Sequence, residues 1–259
     1  MKFFSGLLAV FAAIALTSVN AQLESFSFSS DLISVPVTEI KSGLGYVTGI
    51  RSTKDGANFC AGVLIGPSHV LTRTSCIPHN IRWVSVGSDS YTGDKDGEQI
   101  KVAAFLVHPN NTNYHRNDFL ILELELKTTI KPVELDQVKS IVTPGMIATR
   151  LGWNHTTVEA VQSRYLQSVE VQLVSNEVCS KELTVDETNL CSRGVSAIKS
   201  CTGDKGGAVI VKQKKHDVLV GIVSGNKGCG VVGGMSVYSR VSAVRPWIDS
   251  ILKTSCVYI

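Results

Sequence analysis

Hydrophobic and polar residues alternate with a period of two along most of the chain, which is the pattern of half-buried β-strands. Gly, Asn and Asp residues, which favour turns, separate these segments. The predicted strands are "IRWVSVG" (81–87), "QIKVAAFLV" (99–107), "DFLILEL" (118–124), "SVEVQLV" (168–174), "GAVIVKQ" (207–213) and "DVLVGIVSG" (217–225). Many short strands at this spacing predict an all-β protein built as a sandwich or as barrels.

A helical period is clear only near the C-terminus, in "VSAVRPWIDSILK" (241–253). Its apolar residues would share one face of a helix. Ser242 is a candidate N-cap, and Pro246 is tolerable within the first turn. The Pro-Gly segment "IVTPGM" (141–146) separates two strand-rich halves, so the sequence predicts two parts followed by a helix.

The first residues have the composition of a secretory signal peptide. Lys2 provides a positive charge, "FFSGLLAVFAAIAL" (3–16) is apolar, and small residues precede Ala21. The apolar run is short for a membrane span, and no later run is long enough. We therefore predict a signal peptide over residues 1–21 and a soluble, secreted mature protein of about 238 residues.

Charge and cysteine content narrow the function classes. A formal net charge of +3 is too small to indicate binding to nucleic acid or to an anionic membrane. Seven cysteines in an oxidising compartment predict disulfides, and none has the spacing of a zinc site, so neither a metal nor another cofactor is predicted. Since seven is odd, one thiol lacks an internal partner, and Cys256 near the C-terminus is the candidate.

Two Asn-x-Thr triplets, at Asn110 and Asn154, lie among polar residues typical of loops. In a secreted protein each is a candidate N-glycosylation site.

Several stretches, in order, resemble the motifs of chymotrypsin-like serine proteases. The segment "NFCAGVLIGPSHVLTRTSC" (58–76) is similar to the family signature that ends in "LTAAHC", and "NDFLILEL" (117–124) to the strand that carries the catalytic Asp. Similar matches are "LGWN" to "GWG", "CTGDKGGAVI" to "C-x-GDSGGPL", and "GIVSGNKGCG" to "GIVSWGxGC". The resemblance implies two packed antiparallel β-barrels with a C-terminal α-helix.

The resemblance also implies domain limits and disulfide pairs. Residues 22–40 would form an N-terminal segment without an activation site, 41–143 the first barrel, and 144–259 the second barrel and helix. The implied pairs are Cys60–Cys76, Cys179–Cys191 and Cys201–Cys229, with Cys256 left over.

The family's mechanism needs a Ser nucleophile, a His base and an Asp that orients the His. The motif positions hold Ser75 in place of the His and Lys205 in place of the Ser, and only the aspartate remains, as Asp118. The resemblance thus implies an inactive protease homologue. Two alternatives use the same residues: a Ser75–Lys205 catalytic dyad, or Lys205 as an ionic partner that neutralises a buried Asp118.

The substrate pocket and the activation signal also depart from the family. Lys199 takes the position of the pocket floor, Ser224-Gly225-Asn226 replace the "SWG" wall, and Ser236 replaces a glycine. We expect Lys199 to fill the pocket. Neither an "IVGG" terminus nor a basic cut site is present, so Asp204, the family's partner for the new amine, needs another partner.

The segments "IRWVSVGS", "DGEQIKV" and "LQSVEVQLVSNEVCSKELTVDETNLC" resemble more closely the oomycete glucanase inhibitor proteins, which are secreted trypsin homologues with lost triads. This resemblance implies binding to a host plant endo-β-1,3-glucanase in the apoplast, which protects the pathogen's wall and blocks the release of glucan elicitors. Loop bases such as Arg73, Lys95 or Arg116 are candidates to reach the enzyme's catalytic carboxylates. The competing hypothesis is an inactive homologue that binds another target, such as a host protease or a glycan.

Overall fold

The computed structural model describes residues 38–39, 44–93, 95–112, 116–153, 163–194, 204–226 and 234–254. All of these residues belong to one compact unit, residues 32–259. The predicted signal peptide lies outside the described residues. Asn154, Lys199, Cys201, Cys229 and Cys256, which carry sequence-based predictions, also lie outside them.

The first half of the unit forms a closed antiparallel barrel in the order β2–β3–β4–β7–β6–β5. Its strands are β2 (Val47–Arg51), β3 (Cys60–Gly66), β4 (His69–Thr72), β5 (Trp83–Val86), β6 (Glu98–Val107) and β7 (Leu120–Leu124). A 3₁₀ helix, Thr74–His79, follows β4. Leu and Ile side chains of β3, β4 and β7 are buried and belong to the main hydrophobic core.

The second half repeats this architecture. Its strands are β9 (Ile147–Gly152), β10 (Gln167–Val174), β11 (Asn189–Gly194), β12 (Ala208–Lys212), β13 (Asp217–Asn226) and β14 (Met235–Arg240). They are joined in the order β9–β10–β11–β14–β13–β12, and β12 pairs back to β9. A short helix, α1 (Asn176–Cys179), precedes β11.

Two short strands extend the second barrel's sheet. The strand β1 (Thr38–Glu39) pairs with β10, and β8 (Glu134–Leu135) pairs in parallel with β13. Both strands precede residue 144 in the chain, yet they pair with strands of the second barrel. The predicted domain boundary at 143/144 stays a prediction.

The C-terminal helix α2 (Val241–Thr254) packs its apolar face on the main core. Val244 and Ile248 are buried there, and Arg245 donates to the backbone carbonyls of Leu135 and Asp136 at 2.9 and 3.1 Å. The helix begins at Val241, so Ser242 lies inside the first turn and not at the N-cap as predicted. Pro246 is the sixth helical residue, which is one turn later than predicted.

Most sequence predictions of the fold are confirmed. The all-β class, the two barrels and the final helix are present, and the predicted strands agree with β5, β6, β7, β10, β12 and β13. Two implied disulfides, Cys60–Cys76 and Cys179–Cys191, are present with Cα–Cα distances of 6.2 and 6.3 Å. The pair Cys201–Cys229 lies outside the described residues.

Two buried histidines near α2 make stability depend on pH. His108 is 8% exposed, meets Trp247 edge-on at 4.8 Å, and accepts the backbone N–H of Asn110 on Nδ1. His69 is 2% exposed, and the carboxylate of Glu123 only partly offsets its loss of solvent. Burial lowers the pKa of both imidazoles below the usual 6.5.

We therefore expect the unfolding temperature to fall as the pH is lowered from about 7.5 to about 5.5, a range above most carboxyl titrations. Below pH 6.5 the histidines of the unfolded chain bind protons, whereas those of the folded protein stay neutral until the pH reaches their lower pKa values. Protonation therefore favours the unfolded chain, and the stability present above pH 6.5 is lost as the pH falls through the folded-state pKa values. His108→Gln, which keeps an acceptor, should flatten the profile measured by thermal denaturation. Exposed His79→Gln is the control, and equal slopes in the two variants would contradict this assignment.

Candidate functional site

Asp118, which the sequence matches to the family's catalytic aspartate, lies where the two barrels meet. Its side chain is 5% exposed, and both carboxylate oxygens are hydrogen-bonded. Oδ1 accepts the backbone N–H of Thr74 at 2.9 Å and the Thr74 hydroxyl at 2.5 Å. Oδ2 accepts the Ser224 hydroxyl at 3.3 Å from β13 of the second barrel. Residues of both barrels thus hold this carboxylate.

The cation that pairs with Asp118 is Arg73. Its Nη2 lies 2.9 Å from Oδ2, and its side chain is 10% exposed. Burial lowers the pKa of the Arg73 guanidinium, and the charge of Asp118 opposes that shift. This pair corrects two predictions: Lys205 is not the partner of Asp118, and Arg73 is not a surface base free to reach another protein.

Lys205 and Ser75 do not form a catalytic pair. The Lys205 side chain is exposed, and no ion pair or side-chain hydrogen bond of Lys205 occurs within the described part of the chain. Ser75 lies in the 3₁₀ helix, and its hydroxyl is buried without a hydrogen-bond partner there. A base must lie within hydrogen-bond reach of the nucleophile's proton, so this geometry does not support the dyad.

The loop that carries Lys205 is fixed by its backbone. The Ala61 N–H donates to the Lys205 carbonyl at 3.0 Å, and the Gly206 N–H donates to the Val223 carbonyl at 3.0 Å. Gly206 has a φ of +83°, and a Cβ there would lie 2.1 Å from the Thr72 hydroxyl oxygen. Only glycine fits this close approach, so the loop's shape depends on packing between the barrels and not on the residue at 205.

Asp204 is buried at the base of the same loop. Its residue is 1% exposed, and its carboxylate accepts the backbone N–H of Trp153. A Cβ at Gly152 would lie 2.7 Å from this carboxylate, which shows how closely β9 approaches it. The sequence predicted that Asp204 needs a partner other than a new terminal amine, and the main-chain N–H of Trp153 is such a partner.

The described positions of the predicted pocket lie on two paired strands. Ser224 is at a bulge of β13, and the following Gly225 and Asn226 pair with Val237 and Ser236 of β14. Ser224 is fully buried, and its hydroxyl contacts Asp118. Lys199 lies outside the described residues, so the prediction that it fills the pocket stays a prediction.

A buried arginine that sequence reasoning missed reaches this pocket. Arg150 of β9 is 5% exposed, and its Nη1 donates to the Ser236 hydroxyl at 3.2 Å. A guanidinium therefore occupies space beside one of the predicted pocket residues. The sequence signal was a charged residue within a mostly apolar segment, just before "LGW".

Arg73 left a clearer signal in the sequence. In "LTRTSC", Arg73 and Thr74 take the places of the two alanines in the family's "LTAAHC". A cation and a hydroxyl therefore appear next to the position that lost its histidine. Their gain at that point is what a buried carboxylate requires once the histidine is absent.

Other predicted surface features have varied outcomes. Asn110 is exposed, which suits its predicted glycosylation, and Lys95 is exposed as a loop base should be. Arg116 is 3.2 Å from Asp186 and 3.5 Å from Glu187, so it is already paired on the surface.

Within the described residues, no cluster of acidic, His or Cys side chains has the form of a metal site. None of the helices described is long and apolar enough to cross a membrane.

We expect Arg73→Met to lower the free energy of unfolding by about 3–5 kcal/mol, because it leaves Asp118 as a buried, uncompensated charge. Denaturant unfolding measures the change. The double variant Arg73→Met/Asp118→Asn should lose less than the two single variants together.

Arg116→Met is the matched control, since the Arg116 side chain is 53% exposed. Removal of an exposed ion pair should cost less than about 1 kcal/mol. Similar losses in the Arg73 and Arg116 variants would contradict the structural role of the buried pair.

Comparisons with known proteins agree with the two-barrel fold described above. The family model described as Trypsin matches residues 37–248. Glucanase inhibitor protein 3 of Phytophthora infestans is 40% identical over 98% of this chain and 99% of its own length. Glucanase inhibitor protein 2 of Phytophthora sojae is 40% identical over 81% of this chain and 75% of its own. Glucanase inhibitor protein 1 of Phytophthora infestans is 41% identical over 80% of this chain and 83% of its own. The chain therefore belongs to the trypsin family and, within it, to the group that contains the Phytophthora glucanase inhibitor proteins.

Proposed function

We propose that this protein is a secreted, non-catalytic protease homologue that binds and inhibits host plant endo-β-1,3-glucanases, and so suppresses the release of glucan elicitors during infection. The similarity to proteins called glucanase inhibitors over almost the whole chain supports the partner class. The observation that carries the non-catalytic part is the Arg73–Asp118 ion pair at the former triad.

The lost triad leaves no path for the family's chemistry. A protease serine is activated by a His that the Asp orients. Here Asp118 is held by Arg73, whose guanidinium has only donors and no acceptor and so cannot act as a base. Loss of the nucleophile or the base alone reduces the rate by about 10⁶ in a related mechanism. Proteolysis is therefore not the means of inhibition.

Inhibition by binding requires only a complementary surface. A stable complex buries about 800 Å² on each partner, with a few anchor residues near its centre. A glucanase cleft contains a pair of catalytic carboxylates. Lys205 and Lys95 are exposed and without an acidic partner within the described residues, so either can extend toward such a cleft.

The place of action follows from the predicted signal peptide over residues 1–21. Cleavage there would release the protein to the outside, where a host glucanase in the apoplast meets it. The two disulfides described suit an oxidising compartment.

We expect purified mature protein to inhibit at least one member of a panel of plant endo-β-1,3-glucanases saturably and near stoichiometry. The measurement is reducing-sugar release from laminarin during titration. No inhibition across the panel would contradict the glucanase assignment and would favour a different host target.

Ser75→Ala separates binding from hidden catalysis. The variant should keep its inhibition constant within about twofold, and the glucanase should keep its intact mass after incubation. Two results would support the dyad and contradict the non-catalytic proposal. One is cleavage of the glucanase by the parent protein together with loss of inhibition in Ser75→Ala, and the other is covalent labelling of Ser75 in the parent by a fluorophosphonate.

A further inference from the structure

The hairpin between β12 and β13 gathers positive charge at one end of the second barrel. The Gln213 N–H donates to the His216 carbonyl at 2.9 Å, which places Lys214 and Lys215 at the tip. Every residue from 212 to 216 is exposed, including Lys212 at the end of β12. Three exposed lysines thus lie within four residues at the end of one hairpin.

Next to this hairpin is a groove of about 490 Å³ that Lys215 and Lys131 both line. Its wall includes the apolar side chains of Ile130, Pro132 and Val133. Lys131 is exposed and adds a fourth amine to those of the hairpin. Exposed charge and a partly apolar channel therefore meet at the same place.

Two acidic side chains, Asp217 and Glu134, line the same groove beside the lysines, each next to a hydrogen-bonding group. The Tyr46 hydroxyl donates to Asp217 Oδ2 at 2.6 Å, and Glu134 lies 3.3 Å from His216 Nε2. Burial and the bond to Asp217 raise the pKa of Tyr46, so its hydroxyl stays protonated as a donor. None of the four lysines forms an ion pair within the part of the chain that the structure describes.

We propose that the lysine patch of Lys131, Lys212, Lys214 and Lys215, of which Lys131 and Lys215 line the groove, binds a linear anionic polysaccharide of the uronate class. Lysine is a compact, strongly hydrated charge on a flexible stem, which suits carboxylates repeated along a chain. Positive charge on one rim of a groove raises the local concentration of such a polyanion.

The residue types argue against other polyanions. Anchors of protein interfaces are enriched in Trp, Tyr and Arg, and lysine is depleted there. Single-stranded nucleic acid binding uses exposed aromatic rings on which bases stack. The groove's aromatic residue, Tyr46, is 9% exposed and engaged with Asp217, so it offers no such platform.

This inference is independent of glucanase inhibition, because it concerns the β12–β13 hairpin and not the former triad. The whole-chain charge of +3 gave no sign of it, since that figure sums 25 Lys and Arg against 22 Asp and Glu without regard to position. Retention on an anionic polysaccharide would keep a secreted protein near a cell wall.

The test uses mature protein and de-esterified polygalacturonate in affinity electrophoresis. We expect retardation at about 50 mM salt that is lost at about 500 mM, because the amines are exposed and screened. The triple variant Lys212→Gln/Lys214→Gln/Lys215→Gln should bind at least about tenfold more weakly. Fully methyl-esterified polymer, which lacks the charge, should not retard the protein.

The matched control is Lys54→Gln/Lys95→Gln/Lys181→Gln, which removes the same charge from exposed positions elsewhere. It should bind polygalacturonate like the parent, and circular dichroism should show both triples folded. No retardation of the parent at low salt, or equal losses in both triples, would overturn the proposal. Equal affinity for poly-L-glutamate would overturn the polysaccharide assignment in favour of an acidic protein partner.

Discussion

A buried carboxylate between two barrels is the constraint on which the centre of this molecule depends. Asp118 receives hydrogen bonds from Thr74 of the first barrel and Ser224 of the second. Its own carbonyl accepts the Ser239 hydroxyl at 3.2 Å. An ion held away from water costs several kcal/mol unless a partner compensates it. Arg73 is that partner, and it allows the barrels to keep their junction without the histidine of the protease mechanism.

The loop of Lys205, which matches the nucleophile loop of the protease family, is also fixed by contacts that do not involve the residue at the nucleophile position. Asp204 and Gly206 are buried and shaped by contacts with Trp153, Thr72 and the backbone of β3. The Lys205 side chain between them points outward and carries none of this packing. A serine can therefore be replaced there without loss of the fold, while its neighbours remain restricted. This explains why "GDKGG" differs from the protease motif at a single letter.

A protein that inhibits by binding, as proposed, acts through its surfaces, and the charges of this chain are unevenly placed on them. Arg73 and Arg150 are buried and hold the interior, whereas the lysines of the β12–β13 hairpin are exposed. Arg116 is engaged with Asp186 and Glu187. The charges available to a partner are thus the exposed lysines and not the buried arginines. Glucanase inhibition and polysaccharide binding, as proposed, would use different members of that set.

The sequence by itself determined the all-β class, the strand positions and the final helix, whereas the disulfide pairs seen here followed from the resemblance to the protease family. Period-two alternation reports which face of each strand is buried, and this depends on neighbouring residues. Ordered motifs added the two-barrel architecture and located Ser75, Asp118 and Lys205. Strand ends differ by a residue or two because turns compete with pairing at those points.

Only the tertiary structure decided which cation neutralises Asp118 and what stands beside Ser236. Lys205 was the reasonable expectation, because it replaces the nucleophile, yet Arg73 is the residue within 2.9 Å. Arg150 and Ser236 are 86 positions apart in the chain and meet inside the second barrel. Such partners depend on barrel closure, strand register and the direction of single long side chains, and none of these is a property of local sequence.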